Sequence, residues 1–224
     1  MTFSLVARCV RTGQFGIAIS SSSPAVAARC AHARAHVGAV ASQNVTDPAL
    51  GPLALDLMAQ GLSAPEAISR LVATTQHIDF RQLLAVDAQG RTAIHSGAQV
   101  LGIWGAASAE NVAAGGNLLA NDTIPQVLVD AFLAAKGHLG DRLIAAMKAG
   151  LDAGGEAGPI HSAGLKIVDR LSWPCVDLRC DWSEDCPLEV LDQAWKIYHP
   201  QIAAYVQRAE NPAVAPSYGV PGDE

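Results

Sequence analysis

The chain has 224 residues, half of them hydrophobic and only 16% charged, with a net charge of −6. That length can bury a sizeable core in one large domain or two small ones, and the low charged fraction excludes a disordered chain. The negative balance, with no cluster of Lys or Arg, argues against a nucleic-acid partner, and no apolar run reaches the length of a membrane span.

The first element is a hairpin. Thr2–Arg8 and Phe15–Ser20 are β-rich runs flanking a turn at Thr12–Gln14 that contains Gly13. No charged segment followed by an apolar one precedes them, so a cytoplasmic location is expected. Position 2 is a Thr, small enough for an initiator Met to be removed. Removal would leave a hydroxyl and its own free α-amine at the tip of a core strand. Pro24 ends the second strand after a run of serines, and residues 25–35 read as a loop or a short helix. Val37–Gln43, nearly all small and apolar, reads as a third strand approached closely by its neighbours.

A helical pair follows. Thr46, Asp47 and Pro48 open the first helix, with Leu53, Leu55, Leu57 and Met58 on its apolar face and Gly61 closing it. Ser63 and Glu66 form a capping box that starts the second. Residues 81–86 and 91–95 make another hairpin around a turn at 87–90, and residues 100–104 and 111–116 are further strand candidates. Two helices are expected, from about Asn121 to Lys136 and from Gly140 to Ala153. A third hairpin spans 162–168 and 174–181, and a last helix from Pro187 breaks at Pro200. Residues 1–210 form one expected domain, and 211–224, rich in Pro and Gly, a loose tail. Grouped hairpins alternating with grouped helices argue against a parallel sheet. Two packed, mainly antiparallel sheets with helices outside them bury all these faces in an α+β fold. Cys9, Cys30, Cys175, Cys180 and Cys186 are odd in number and scattered, which fits buried, reduced thiols and no disulfide framework.

The combination of Thr2–Arg8, Gly38–Gln43, Asp47-Pro48 with Gly51-Pro52, Val86–Gly90 and Gly116-Asn117 resembles the DUF1028 family. The family is small, bacterial and grouped with the N-terminal-nucleophile (Ntn) hydrolase fold. The resemblance runs over about residues 2–180, including Val176–Arg179, and implies a four-layer αββα sandwich. Two departures point to altered specificity. His36 stands where a small residue is usual, and the Arg and Gln common before the strand at Ser162 are missing around Pro159–His161.

In an Ntn site the Thr hydroxyl attacks an amide carbonyl and the α-amine takes the proton. A free α-amine titrates at roughly 7.7–8.0 and needs little tuning for that role. The catalytic candidates are therefore Thr2, Arg34 just before the third strand, and Asn117, whose amide beside two glycines can meet an oxyanion. Ser21, Ser22, His36, Gln43 and Gly116 are the substrate-binding candidates. Each has a plainer reading: Thr2 as the start of a strand, the serines as strand-end caps, Gly116 as part of a glycine turn. His32 and His36 have i, i+4 spacing but no third ligand, and Gly13-x-x-Gly16 is hairpin chemistry without a phosphate-binding helix. Trp173, Trp182, Trp195 and Tyr198 read as core or subunit contact. The expectation is an amidohydrolase, without metal or cofactor, acting on a small amide or short peptide and forming a homodimer. The alternative is a non-catalytic αββα protein that binds a metabolite or partner.

Overall fold

A computed structural model of the chain describes residues 1–223. Strand β1 (Thr2–Arg8) sends Phe3, Leu5 and Ala7 into one hydrophobic cluster and Val6 into another, the period-2 alternation of an extended chain. It is thus a wall shared by two cores. Strand β2 (Phe15–Ser21) pairs along one side of it, with Ser21 opposite Thr2. Strand β8 (Val112–Asn117) pairs along the other, with Asn117 opposite Thr2. Strands β9 (Ser162–Val168) and β10 (Val176–Cys180) extend this sheet beyond β2, and β7 (Gly105–Ala109) extends it beyond β8. The second sheet has β3 (Ala31–Arg34), β4 (Gly38–Asn44), β5 (Arg81–Asp87) and β6 (Thr92–Ser96) in that order. Every pairing in both sheets is antiparallel.

Between the sheets, Val6, Phe15, Ile17 and Ile19 meet Ala39, Ala41, Leu84 and Val86. Helices α4 (Ile124–Ala134), α5 (Leu139–Asp152) and α6 (Pro187–Tyr198) cover the outside of the first sheet, contributing Leu128, Phe132, Leu143, Met147 and Trp195. Helices α2 (Leu50–Ala59) and α3 (Ala64–Thr74) cover the second through Leu55, Ile68 and Leu71. The layers run helix, sheet, sheet, helix, the αββα sandwich that grouped hairpins and helices demand. The capping box at Ser63 is formed: its hydroxyl accepts from Glu66 N–H while the Glu66 carboxylate accepts from Ser63 N–H. Close packing of β4 on β5 has a specific cause at Gly38, where a Cβ would sit 2.3 Å from the Val86 carbonyl oxygen.

Several expectations about single elements need correction. Residues 25–35 hold a one-turn helix, α1 (Val26–Cys30), and then edge strand β3, which pairs only with β4 and so carries no run of apolar residues to announce it. Residues 100–104 form a loop, and strand β7 begins after them at Gly105. Helix α2 begins at Leu50, because the Asp47 side chain accepts from Ala49 N–H in the turn before it. The break at Pro200 is present, with α7 (Ile202–Glu210) resuming beyond it. The tail is tied back rather than loose, since the Arg208 guanidinium donates to the carbonyls of Pro216 and Ser217. Among the described residues, no helix is long and apolar enough to cross a membrane.

Candidate functional site

The start of β1 lies between Ser21 on one neighbour and Asn117 on the other. Strand parity turns Thr2 and Ser4 the same way as Val6, into the space between the sheets. Thr2 is buried there, 6% exposed. Its hydroxyl donates to the Met1 carbonyl at 2.5 Å and lies 3.3 Å from Ser21 Oγ, which donates to the same carbonyl. Ser21 Oγ in turn accepts from Ser23 N–H. Two hydroxyls therefore converge on one carbonyl oxygen.

Deeper in, a chain of buried amides crosses from sheet to sheet. Ser4 Oγ donates to Gln43 Oε1 at 2.6 Å, and Gln43 Nε2 donates to Gln82 Oε1 at 2.8 Å. Asn117 Nδ2 approaches the same Gln82 oxygen at 3.4 Å. Gln82 Nε2 reaches Ser96 Oγ and the carbonyls of Gly105 and Gly116. Gln82 thus holds Asn117 and Gln43 in one network, and each of the three is at most 1% exposed.

The open end of β1 is closed by residues 155–161. Ala157 N–H donates to the Leu118 carbonyl beyond β8, and His161 N–H donates to the Ser21 carbonyl at the end of β2. Glu156, bridged to Leu119 through the backbone, is carried to the mouth of the strand. Its Oε2 accepts from Ser22 N–H at 3.0 Å, and its buried Oε1 has no partner among the described residues. Burial pushes this carboxyl up from 4.5 to about 8, against the pull of the Met1 ammonium and the Ser22 N–H. The methyl end of Met1 rests on Gly158, where a Cβ would lie 2.9 Å from Met1 Cε. A cavity of about 270 Å³ opens here, lined in part by Glu156, Gly158, Ile160, Glu184 and Asp185.

The structure thus brings together Thr2, Ser21, Ser22, Gln43, Gly116 and Asn117. Gly116 acts by shape: a Cβ would lie 2.6 Å from Leu119 Cδ2 and 3.0 Å from the Thr2 carbonyl. Arg34 and His36 are not part of this group. Arg34 pairs with Gly38 at the other end of β4 from Gln43, and its exposed guanidinium binds Asp56 at 2.8 Å. His36 sits exposed in the turn after it at φ 64°, beside Met58, Leu62 and Gln89. The positional argument failed because it placed both residues before the third strand without knowing which end of that strand meets Thr2. His32 lies on a strand, not a helix. Its ring packs against Gly51 with Nε2 near the Arg29 carbonyl, and burial pushes its pKa down. Among the described residues no three His, Cys, Asp or Glu side chains come together as metal ligands would.

Glu156 and Gln82 are the two functional candidates that the sequence alone did not single out. Gln82 carried a signal, a polar residue at inward parity on an otherwise apolar strand. Glu156, in a run of glycines, carried none.

Residues 2–191 match the family model of DUF1028, described as a family of unknown function. Among solved structures, the chain is similar to protein SPO2555 from Silicibacter pomeroyi, itself assigned to DUF1028, at 28% identity over 88% of each chain and a TM-score of 0.81. Anbu (ancestral beta-subunit) from Yersinia bercovieri aligns over 91% of this chain and 97% of its own at 12% identity, with a TM-score of 0.40. No functionally curated protein matches the chain.

Proposed function

The chain belongs to the DUF1028 family, and from that premise we propose that it is an N-terminal-nucleophile amidohydrolase, active once Met1 is removed, with Thr2 as nucleophile. The observation that carries this reading is the Thr2 hydroxyl itself. It lies buried at the polar end of the sandwich against the carbonyl oxygen of an amide, with Ser21 Oγ on the same oxygen. That carbonyl belongs to the Met1–Thr2 peptide bond, so the contact brings an amide within reach of the Thr2 hydroxyl. The α-amine freed by Met1 removal is the base closest in the chain to that hydroxyl. Ser21 Oγ supplies a hydrogen bond to the carbonyl oxygen. Asn117, opposite Thr2, has a second amide proton for the developing oxyanion. Burial of the pocket strengthens these contacts by excluding water.

The test has two steps. Intact mass of the protein from its native host is expected to lack Met1. The Met1-free protein is then expected to be acylated once by a β-lactone, with the added mass on Thr2, while Thr2→Ala remains unlabelled. Retention of Met1 in native protein, or labelling that persists in Thr2→Ala, overturns the proposal. In that case Thr2 starts a strand, and the polar end belongs to a binding protein.

A further inference from the structure

At the other end of β1 from Thr2, the first sheet borders a cavity of about 390 Å³. The end of β1, the turn between β7 and β8, the end of α4 and the first turn of α5 all contribute to its lining. Four cations stand there, Arg8, Arg11, Lys136 and Arg142, against one carboxylate, Glu110. Among the described residues, none of the four has a carboxylate within ion-pair distance. In a chain of net charge −6, such a concentration of positive charge in a concave site selects an anion. Two of the guanidiniums are fixed and have donors to spare. Arg142 is half-buried over the Phe132 ring, 4.0 Å from its centroid, with Nε and Nη2 both donating to the Phe132 carbonyl. Its Nη1 makes no hydrogen bond among the described residues. Arg8, also half-buried, donates from Nη1 to Asn111 Oδ1 at 3.1 Å, which leaves Nε and Nη2. Asn111 is 9% exposed and held in its turn by backbone bonds to Gly90 and Arg8. Its Nδ2 has no partner among the described residues and adds a neutral donor. Cys9 registers the potential. Burial pushes its thiol up, yet the Thr12 hydroxyl, the N–H groups of Thr12 and Arg11 and the Arg142 charge hold it below its ordinary value.

We propose that this cavity binds a small organic phosphate, its phosphate group held by Arg8 and Arg142 and its organic part against Val10 and Leu133. A phosphate monoester carries about −1.5 to −2 charge at neutral pH and three acceptor oxygens, so two guanidiniums can donate to it at once. A carboxylate has one charge and two oxygens, and a single fork satisfies it. The volume lies within the range of small-molecule sites, about 300–1,000 Å³, and inorganic phosphate alone would leave the apolar lining uncovered. Six residues of extended chain, about 20 Å, separate Arg8 from Thr2, so the site makes no use of the proposed nucleophile.

The probes are phenyl phosphate, inorganic phosphate and benzenesulfonate, each titrated calorimetrically into the full chain. Phenyl phosphate is expected to bind once per chain, more tightly than inorganic phosphate, which lacks the ring, and than benzenesulfonate, which carries a single charge. Arg8→Gln and Arg142→Gln are each expected to weaken it by about 10- to 100-fold, the value of hydrogen bonds to a charged group. Arg70→Gln removes an exposed cation on α3, outside the cavity, and is expected to leave the affinity unchanged. Glu110→Gln, at an exposed position, is expected to tighten binding by about 2- to 5-fold and keeps the proposal testable should Arg142→Gln fail to fold. Absence of binding at millimolar phenyl phosphate, equal weakening by Arg70→Gln and the two cavity variants, or no tightening by Glu110→Gln overturns the site. Equal affinity for benzenesulfonate overturns the phosphate assignment, and equal affinity for inorganic phosphate overturns the organic part.

Discussion

Glu156→Gln in the Met1-bearing chain should change how stability depends on pH. Burial lifts the carboxyl from 4.5 to about 8 in the folded protein. The unfolded chain therefore releases this proton near its ordinary value, while the folded chain keeps it. Stability contributed by the group falls as pH rises from 4.5 to about 8 and is level outside that window. At about 1.36 kcal/mol per pH unit, the full loss comes to about 5 kcal/mol. Gln keeps the shape and cannot ionise, so the variant escapes the loss. The variant should gain about 4 kcal/mol on wild type between pH 5 and pH 8. Urea denaturation followed by tryptophan fluorescence at several pH values measures this directly. The Met1 ammonium, Glu184 and Asp185 are common to both proteins and largely cancel in the difference. A difference that stays constant across the range would refute the argument, because it would mean that Glu156 is already ionised in the fold and paired.

Gln82→Leu strands Gln43 Nε2 and Asn117 Nδ2 inside the sandwich and removes a bond to the half-buried Ser96 Oγ. At about 1–3 kcal/mol for each buried group left unpaired, it should cost at least about 2 kcal/mol in chemical denaturation and slow β-lactone labelling of Thr2. A loss below about 1 kcal/mol would show that the network does not hold this end together. Gly38→Ala drives a Cβ to within 2.3 Å of the Val86 carbonyl, at the far end of β4 from Gln43. It should cost about 1–3 kcal/mol, lowering Tm by about 2–4 °C for each, yet leave the rate of Thr2 labelling unchanged. Slower labelling would show that the two ends of the sheet are coupled.

Some of this was legible in the sequence and some was not, for physical reasons. The hairpins, the capping box at Ser63 and the break at Pro200 are local, since each is decided by residues within a few positions of one another. The layering followed from the order of those elements. The site was legible where it lay on β1 and its two neighbours, because antiparallel register places Ser21 and Asn117 opposite Thr2. It was not legible where a loop returns from far along the chain. Glu156 is 154 residues from Thr2 by number, and only the pairing of residues 157 and 161 with the ends of β8 and β2 brings it to the mouth of the strand. Arg34 and His36 failed for the converse reason. They are near the third strand in sequence but at its wrong end.

The distribution of polar residues also bears on whether this end of the sandwich is more than structure. Along β1, β2, β4, β5 and β8, inward positions near the middle of the sandwich are apolar: Val6, Ile17, Ala41, Leu84 and Ala113. At one end they become Thr2, Ser4, Ser21, Gln43, Gln82 and Asn117, all buried. A buried polar network, even when satisfied, gives little net stability over apolar residues of the same shape, because the bonds it makes replace bonds to water. Stability alone therefore gives no reason to change the chemistry of the core at this end. Thr2 and Ser21 both donate their hydroxyls to the carbonyl of Met1, the residue whose removal the proposed activity requires. What remains after that removal is a hydroxyl and an α-amine on Thr2 and a fixed amide on the neighbouring strand, with the unpartnered Glu156 carboxyl at the end of the sheet. That set of groups is expensive as packing and well suited to binding and cleaving an amide.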